Sequence, residues 1–235
     1  MLRRMLCGVR NRAPVAQGRS ARDHDLEIGP AGTFLLITGS NMSGKSTLLR
    51  SVGINIVLAQ AGGPVCASGC RCLRFNSGRV CGCRIRCAKV SFFMAELLRL
   101  KQIVDTANQR RANDPPVFFI LDEMLQGTNT AERQIAARRI VRHLVDRGNL
   151  GTVSTHDLTL ADGPELESIA VPVHLTETVR DTDDGPAMIF DYRIRDGIAR
   201  STNALKLMDV VGFDFGDGQR HPLLIQRAGQ NPQAD

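Results

Sequence analysis

Phe34, Leu35, Leu36 and Ile37 form an unbroken apolar run between Thr33 and Thr38, and Gly39-Ser40-Asn41-Met42-Ser43-Gly44-Lys45-Ser46 follows at once. A continuous apolar run this short suits a strand buried on both faces of a parallel sheet. Beyond it Leu48, Val52, Ile56 and Ala59 recur at helical spacing until Gly62-Gly63-Pro64 stops the helix. The eight-residue turn fits G-x-x-x-x-G-K-[ST], and it sits between a strand and a helix, the context that pattern needs. Glycines let backbone N–H groups turn inward around phosphate oxygens, and the helix that follows presents its positive end. Lys45 would reach β- and γ-phosphates, and the Ser46 hydroxyl would ligate Mg²⁺. The bland alternative is a glycine-rich turn that binds nothing.

Two further strands end in polar groups. Residues 117–121 are apolar and lead into Asp122 and Glu123. Side chains alternate along a strand, so adjacent carboxylates take different roles. Asp122 is read as a member of the Mg²⁺ shell, and Glu123 as the group that polarises a water attacking the γ-phosphate. Alone, such a pair is often only solvated; beside a phosphate loop it gains a purpose. Residues 152–155 form a third short strand, followed by His156. Parallel strands in such sheets direct their C-terminal ends at one crevice. His156 would there sense the γ-phosphate or orient the water, whereas a lone histidine elsewhere is more often a plain surface or core residue.

The rest of the chain supplies the frame. Helices are expected from Phe92 to about Ala107, over 130–147 with Asn129 and Glu132 as a capping pair and Gly148 as a stop, and over 202–211. Val171, Val173 and Leu175, then Met188, Phe190, Tyr192 and Ile194, alternate with polar residues around Asp183-Asp184-Gly185, which reads as an antiparallel hairpin. Strand–helix alternation followed by a hairpin predicts an α/β fold, with a mostly parallel sheet flanked by helices.

Composition narrows the classes. The 235 residues are 43% apolar and 23% charged, as in a folded domain. No apolar run approaches the ~18 residues of a membrane span. The net charge of +6 is uneven: residues 1–22 hold six arginines and no acid, and residues 66–89 hold five arginines, one lysine and no acid. The remainder is acidic, so the charge does not describe a diffuse nucleic-acid-binding surface. Residues 1–22 read as an unstructured basic arm; a mitochondrial transit peptide shares that composition, although serine is scarce here. Six of the seven cysteines lie between Cys66 and Cys87. Without a secretory signal, a reducing cytoplasm is the expected compartment and disulfides are not expected.

Taken together, Thr38–Thr47 (TGSNMSGKST), 91–96 (SFFMAE), 121–130 (LDEMLQGTNT) and 154–158 (STHDL) resemble the ATPase domain of the MutS family of DNA mismatch-repair proteins. The GTN-x-x-ER form at 127–133 is closer to the short MutS-like ATPases. The resemblance implies a P-loop NTPase of ABC type that hydrolyses ATP with Mg²⁺ and works as a homodimer with composite ATP sites. It implies that Gly39, Ser40, Asn41, Met42, Ser43, Gly44, Lys45, Ser46 and Thr47 bind the nucleotide, with Ser46 and Asp122 at the metal. Glu123 would activate water, His156 and Asn41 would assist, and Ser91 would be offered in trans to the partner's γ-phosphate. Position agrees for Ser91, since free N–H groups at a helix start favour an anion; a simple N-cap serine is the alternative. The LSGGQ signature of ABC transporters is absent from the sequence.

On this reading the chain divides into a basic tail (1–24), the ATPase domain (25–215) and a C-terminal tail (216–235). The implied DNA partner, mismatched or branched duplex, would be gripped by mismatch-reading, connector, lever and clamp domains that these residues do not contain. Residues 68–89 depart from the family pattern. They fit a basic loop on DNA phosphates, a zinc site whose Cys70-x-Cys72 and Cys81-x-Cys83 pairs are tight for chelation, or a reading-frame slip restored before Val90. The abrupt change of composition favours the slip, and a family-like translation in another frame would identify it. Two further functions stay open: a nucleotide-binding module without turnover, and an ABC ATPase of another DNA-metabolism class.

Overall fold

The computed structural model describes residues 5–11, 22–40, 43–65, 70–71, 91–111, 113–125, 129–160, 164–182 and 185–199. Strand β3 (Phe34–Thr38) runs into helix α1 (Lys45–Gln60), as the apolar run and helical spacing require. Helix α2 (Phe92–Gln109) precedes β5 (Phe118–Asp122), helix α3 (Thr130–Asp146) and β6 (Leu150–Thr155). A short helix α4 (Pro164–Glu167) leads to the long strands β7 (Ala170–Thr182) and β8 (Gly185–Asp196).

Five of these strands form one sheet in the order β5-β6-β3-β7-β8. The first four are parallel, and β8 closes the edge antiparallel to β7. The expected hairpin is therefore present, and β7 also pairs parallel to β3, so the hairpin belongs to the main sheet.

Period two sorts the central strand between two cores. Leu35 and Ile37 of β3 pack with Leu48, Leu49, Val52 and Ile56 of α1. Phe34 and Leu36 point the other way, into a cluster with Leu100 and Ile103 of α2 and Val141, Leu144 and Val145 of α3. Helices thus cover both faces, which is why every residue of β3 and β6 is buried. Each such aliphatic or aromatic side chain contributes about 1.5–3 kcal/mol on burial.

Helix α3 begins as its sequence suggests: Asn129 Oδ1 accepts from the Glu132 N–H at 2.9 Å, satisfying one of the first-turn donors. At its other end the fully buried Asn149 accepts from Val117 N–H at 3.0 Å and donates to Leu144 C=O at 2.9 Å. One side chain therefore joins the end of α3 to the start of β5.

The expectation of an unstructured arm over 1–22 is corrected over Met5–Asn11 and at Arg22, the residues of it that are described. Strand β1 (Met5–Asn11) pairs antiparallel with β2 (Arg22–Ile28), and the two-residue β4 (Cys70–Arg71) adds to its other edge. The register sets Arg10 opposite Asp23. A strand made by pairing with another segment carries little local signature, and the acids belong to the sequence of the partner strand. The helix expected over 202–211, the tail 216–235 and all of 68–89 except β4 lie outside the described residues.

Candidate functional site

Parallel pairing in register brings three strand ends to one edge. Thr38 of β3 stands level with Thr155 of β6, and Asp122 of β5 with Ser154. The described residues that follow these ends, 39–40 and 43–46, 123–125 and 156–157, are therefore neighbours although far apart in sequence.

The turn after β3 is shaped by glycine. Gly39 has φ 146°, and a Cβ there would stand 2.6 Å from the Leu175 carbonyl oxygen and 3.0 Å from Ser43 Oγ. Gly44, the N-cap of α1, has φ 99° and no side-chain cap, and a Cβ on it would meet the Tyr192 ring at 2.8 Å. Only glycine fits either position. No acid occupies the first turn of α1, so its helix start keeps its positive character. Ser43 is buried and its Oγ has no hydrogen-bond partner among the described residues. An orphaned hydroxyl beside uncapped helix amides suits an oxyanion ligand.

Lys45 is only 5% exposed. Its Nζ donates to the Gly39 and Ser40 carbonyls at 2.8 and 2.7 Å, and lies 3.5 Å from Glu123 Oε1. The other Glu123 oxygen lies 2.6 Å from His156 Nδ1. Glu123 is thus the hinge of the site, joined to the loop lysine on one side and to the β6 histidine on the other. Asp122 points elsewhere, as alternation requires: Ser154 Oγ donates to its Oδ1 at 2.5 Å. That bond orients the carboxylate. Asp122 and the Ser46 hydroxyl at the start of α1 are oxygen donors, the kind Mg²⁺ takes alongside phosphates and water.

The turn after Asp122 is strained. Glu123 and Leu125 both have positive φ, 50° and 59°, at roughly 1–3 kcal/mol each. The Glu123 N–H donates to Ser154 C=O at 3.2 Å, Leu125 is 1% exposed, and its N–H donates to Glu96 Oε1 at 2.5 Å. Burial pushes the Glu96 carboxyl above the usual carboxylate range, against the opposing effect of the Leu125 hydrogen bond.

Asp157, the residue after His156, is tied to α3 and to Thr159. Arg133 Nη2 and Gln134 Nε2 of α3 each reach its Oδ2 at 2.9 Å, and Thr159 donates to Oδ1 from both N–H and hydroxyl. Burial alone would raise its pKa, but the hydrogen bonds from Thr159, Gln134 and Arg133 outweigh that and lower it to about 2.

The structure thus brings together Gly39, Ser40, Lys45, Glu123 and His156, with Asp122 at the adjoining strand end and Ser43, Gly44, Ser46 and Thr47 in the loop and first turn. Asn41 and Met42 lie outside the described residues. Ser91 is the exposed N-cap of α2, its side chain accepting from Met94 N–H at 3.3 Å, which is the simpler of the two roles expected for it. Sequence reading missed Ser154, Glu96, Asp157, Arg133 and Tyr192. For Ser154 a signal existed, a hydroxyl inside an otherwise buried strand. Glu96 ends the SFFMAE stretch, yet its partner Leu125 is 29 residues away, and Tyr192 gives no signal because its neighbours are distant in the chain.

These features define an α/β domain with a glycine-rich turn and a Lys–Glu–His cluster at the C-terminal edge of its sheet. The model for MutS domain V matches residues 35–214. The chain belongs to the MutS family. It is 28% identical over 204 residues to the DNA mismatch repair protein MSH2 of Saccharomyces cerevisiae, covering 82% of this chain and 20% of that one. It is 30% identical over 181 residues to the DNA mismatch repair protein MutS of Streptococcus agalactiae, covering 76% and 20%. With the DNA mismatch repair protein msh-2 of Neurospora crassa it shares 36% over 153 residues, covering 62% and 16%. The chain spans a fifth or less of the length of these relatives. Among the described residues no helix is long and apolar enough to cross a membrane.

Proposed function

We propose that the chain binds and hydrolyses ATP as the P-loop, ABC-type ATPase domain of a MutS-like DNA-repair protein. The observation that carries this reading is the placement of Glu123 between Lys45 and His156 at the mouth of the glycine-rich loop.

Each residue has a task that its surroundings support. The loop amides and the uncapped start of α1 hold the phosphates, and Lys45 supplies a fixed positive charge to them. Ser46 and Asp122 would hold Mg²⁺, which when bound neutralises charge on the β- and γ-phosphate oxygens. Glu123 accepts a hydrogen bond from the attacking water and draws its proton, and His156 fixes the orientation of that carboxylate. Electrostatic positioning supplies most of the catalysis in phosphoryl transfer, so a preformed cluster of this kind is what the reaction needs. By family likeness Asn41 assists at the γ-phosphate and Ser91 reaches the nucleotide of a second protomer. Two chains would then close on two shared ATP molecules and pass that closure to a DNA-gripping part of the protein.

The test is ATPase activity measured against protein concentration, with Glu123→Gln as control. Turnover that rises more steeply than linearly and is lost in the variant supports the proposal. Nucleotide binding without turnover favours the module that binds and does not hydrolyse. Failure to bind nucleotide at saturating concentration refutes both.

A further inference from the structure

The turn that presents Glu123 is held from four directions. The Glu123 N–H is tied to β6, its carboxylate faces Lys45 and His156, and the Leu125 side chain is buried. The fourth tie comes from outside the sheet. Glu96, in the second turn of α2, accepts the Leu125 N–H across 29 residues of sequence. Its other oxygen, Oε2, is buried without a hydrogen-bond partner among the described residues. Burying a carboxylate is costly, and here it meets a backbone amide in a left-handed conformation that a residue like leucine rarely adopts.

We infer that Glu96 is a positioning residue for Glu123: by holding the Leu125 N–H it locks the left-handed turn that aims Glu123 at Lys45 and His156, and it couples that turn to α2. Without it, Leu125 has no partner for a buried amide and nothing offsets its positive φ. The turn then relaxes toward an ordinary conformation, and Glu123 swings with it. The coupling has a direction. Ser91 caps the same helix five residues earlier, so a displacement at the start of α2 reaches the Glu123 turn through one rigid helical turn and one hydrogen bond. The kinetic part of this inference rests on the ATPase reading; the structural part does not.

Three variants of the full chain separate the roles. Glu96→Gln keeps an acceptor at the same reach, Glu96→Ala removes it, and Glu96→Asp keeps the charge but shortens the reach. Glu96→Ala is expected to lower kcat by about 10²-fold, the cost of a misplaced reacting group, with the Kd for a non-hydrolysable ATP analogue within about twofold of wild type. Glu96→Gln should stay within about threefold in kcat, and Glu96→Asp should fall toward the alanine variant. Hydrogen exchange at residues 123–125 should accelerate in Glu96→Ala and remain slow in Glu96→Gln. If Glu96→Ala fails to fold, the contrast between Asp and Gln carries the decision.

Wild-type kcat and slow exchange in the alanine variant would overturn the inference. So would a glutamine variant as impaired as alanine, or loss of Kd in parallel with kcat. If the wild-type chain does not hydrolyse ATP, the ATPase reading fails, and the exchange measurement still decides whether Glu96 holds the turn.

Discussion

Replacing Asp157 with asparagine tests how firmly the His156 segment is anchored. The side chain is 12% exposed and receives hydrogen bonds from Arg133, Gln134 and Thr159. Its pKa is lowered from 3.8 to about 2. At 1.36 kcal/mol per unit, that difference stabilises the fold by about 2 kcal/mol when the carboxylate is ionised in both states. Asparagine keeps an oxygen for Thr159 and loses the charge, so Asp157→Asn should cost about 1–2 kcal/mol at pH 7, or roughly 2–8 °C in Tm for a chain of this size. The sign of the pH effect follows from the lowered pKa. Above about pH 5 the stabilisation is complete. Between about pH 5 and 2 the unfolded chain takes up its proton before the folded one, and the advantage drains away. Urea unfolding of wild type and variant at pH 7, 4.5, 3.5 and 3 should therefore give two curves that converge as pH falls. Parallel curves across that range, or no gap at pH 7, would refute the argument that the Asp157 carboxylate, held by Thr159, Gln134 and Arg133, carries the stabilisation.

Other perturbations probe separate parts of the molecule. Ser154→Ala frees the Asp122 carboxylate from its hydroxyl partner and should raise the Mg²⁺ concentration for half-maximal turnover about 10-fold or more, read by titrating metal in the ATPase assay; an unchanged midpoint counts against Asp122 as a metal ligand. Asn149→Ala strands the buried Val117 N–H and leaves the Leu144 C=O with the Asn149 N–H, and should cost about 1–3 kcal/mol in chemical denaturation. A loss well under about 1 kcal/mol would mean that the Val117 N–H finds another partner.

The sheet edge was legible because it is built from local patterns. Phe34 to Ile37, Phe118 to Leu121 and Leu150 to Ser154 are apolar or small-residue runs too short for helices, and each ends in the polar group that matters. The cap at Asn129 is equally local, three residues from its donor. What escaped was made by distance. Strand β1 is made by its pairing with β2 and with β4, and β7 joins β3 by a pairing that no period along its own sequence discloses. The left-handed backbone of Glu123 and Leu125 escaped as well, because neither residue type favours it. It is imposed by Ser154 and Glu96, from two other segments, and by the burial of the Leu125 side chain.

The central place of β3 bears on how the molecule is made. Both of its sheet neighbours, β6 and β7, come from the second half of the chain, so Phe34–Thr38 leaves the ribosome roughly 110 residues before either can reach it. A nascent chain that already carries the glycine-rich loop still has a bare apolar ribbon at its middle. Until translation passes β6, that ribbon is a target for chaperones or for its own kind, and synthesis halted short of residue 150 would release a polypeptide unable to shelter it.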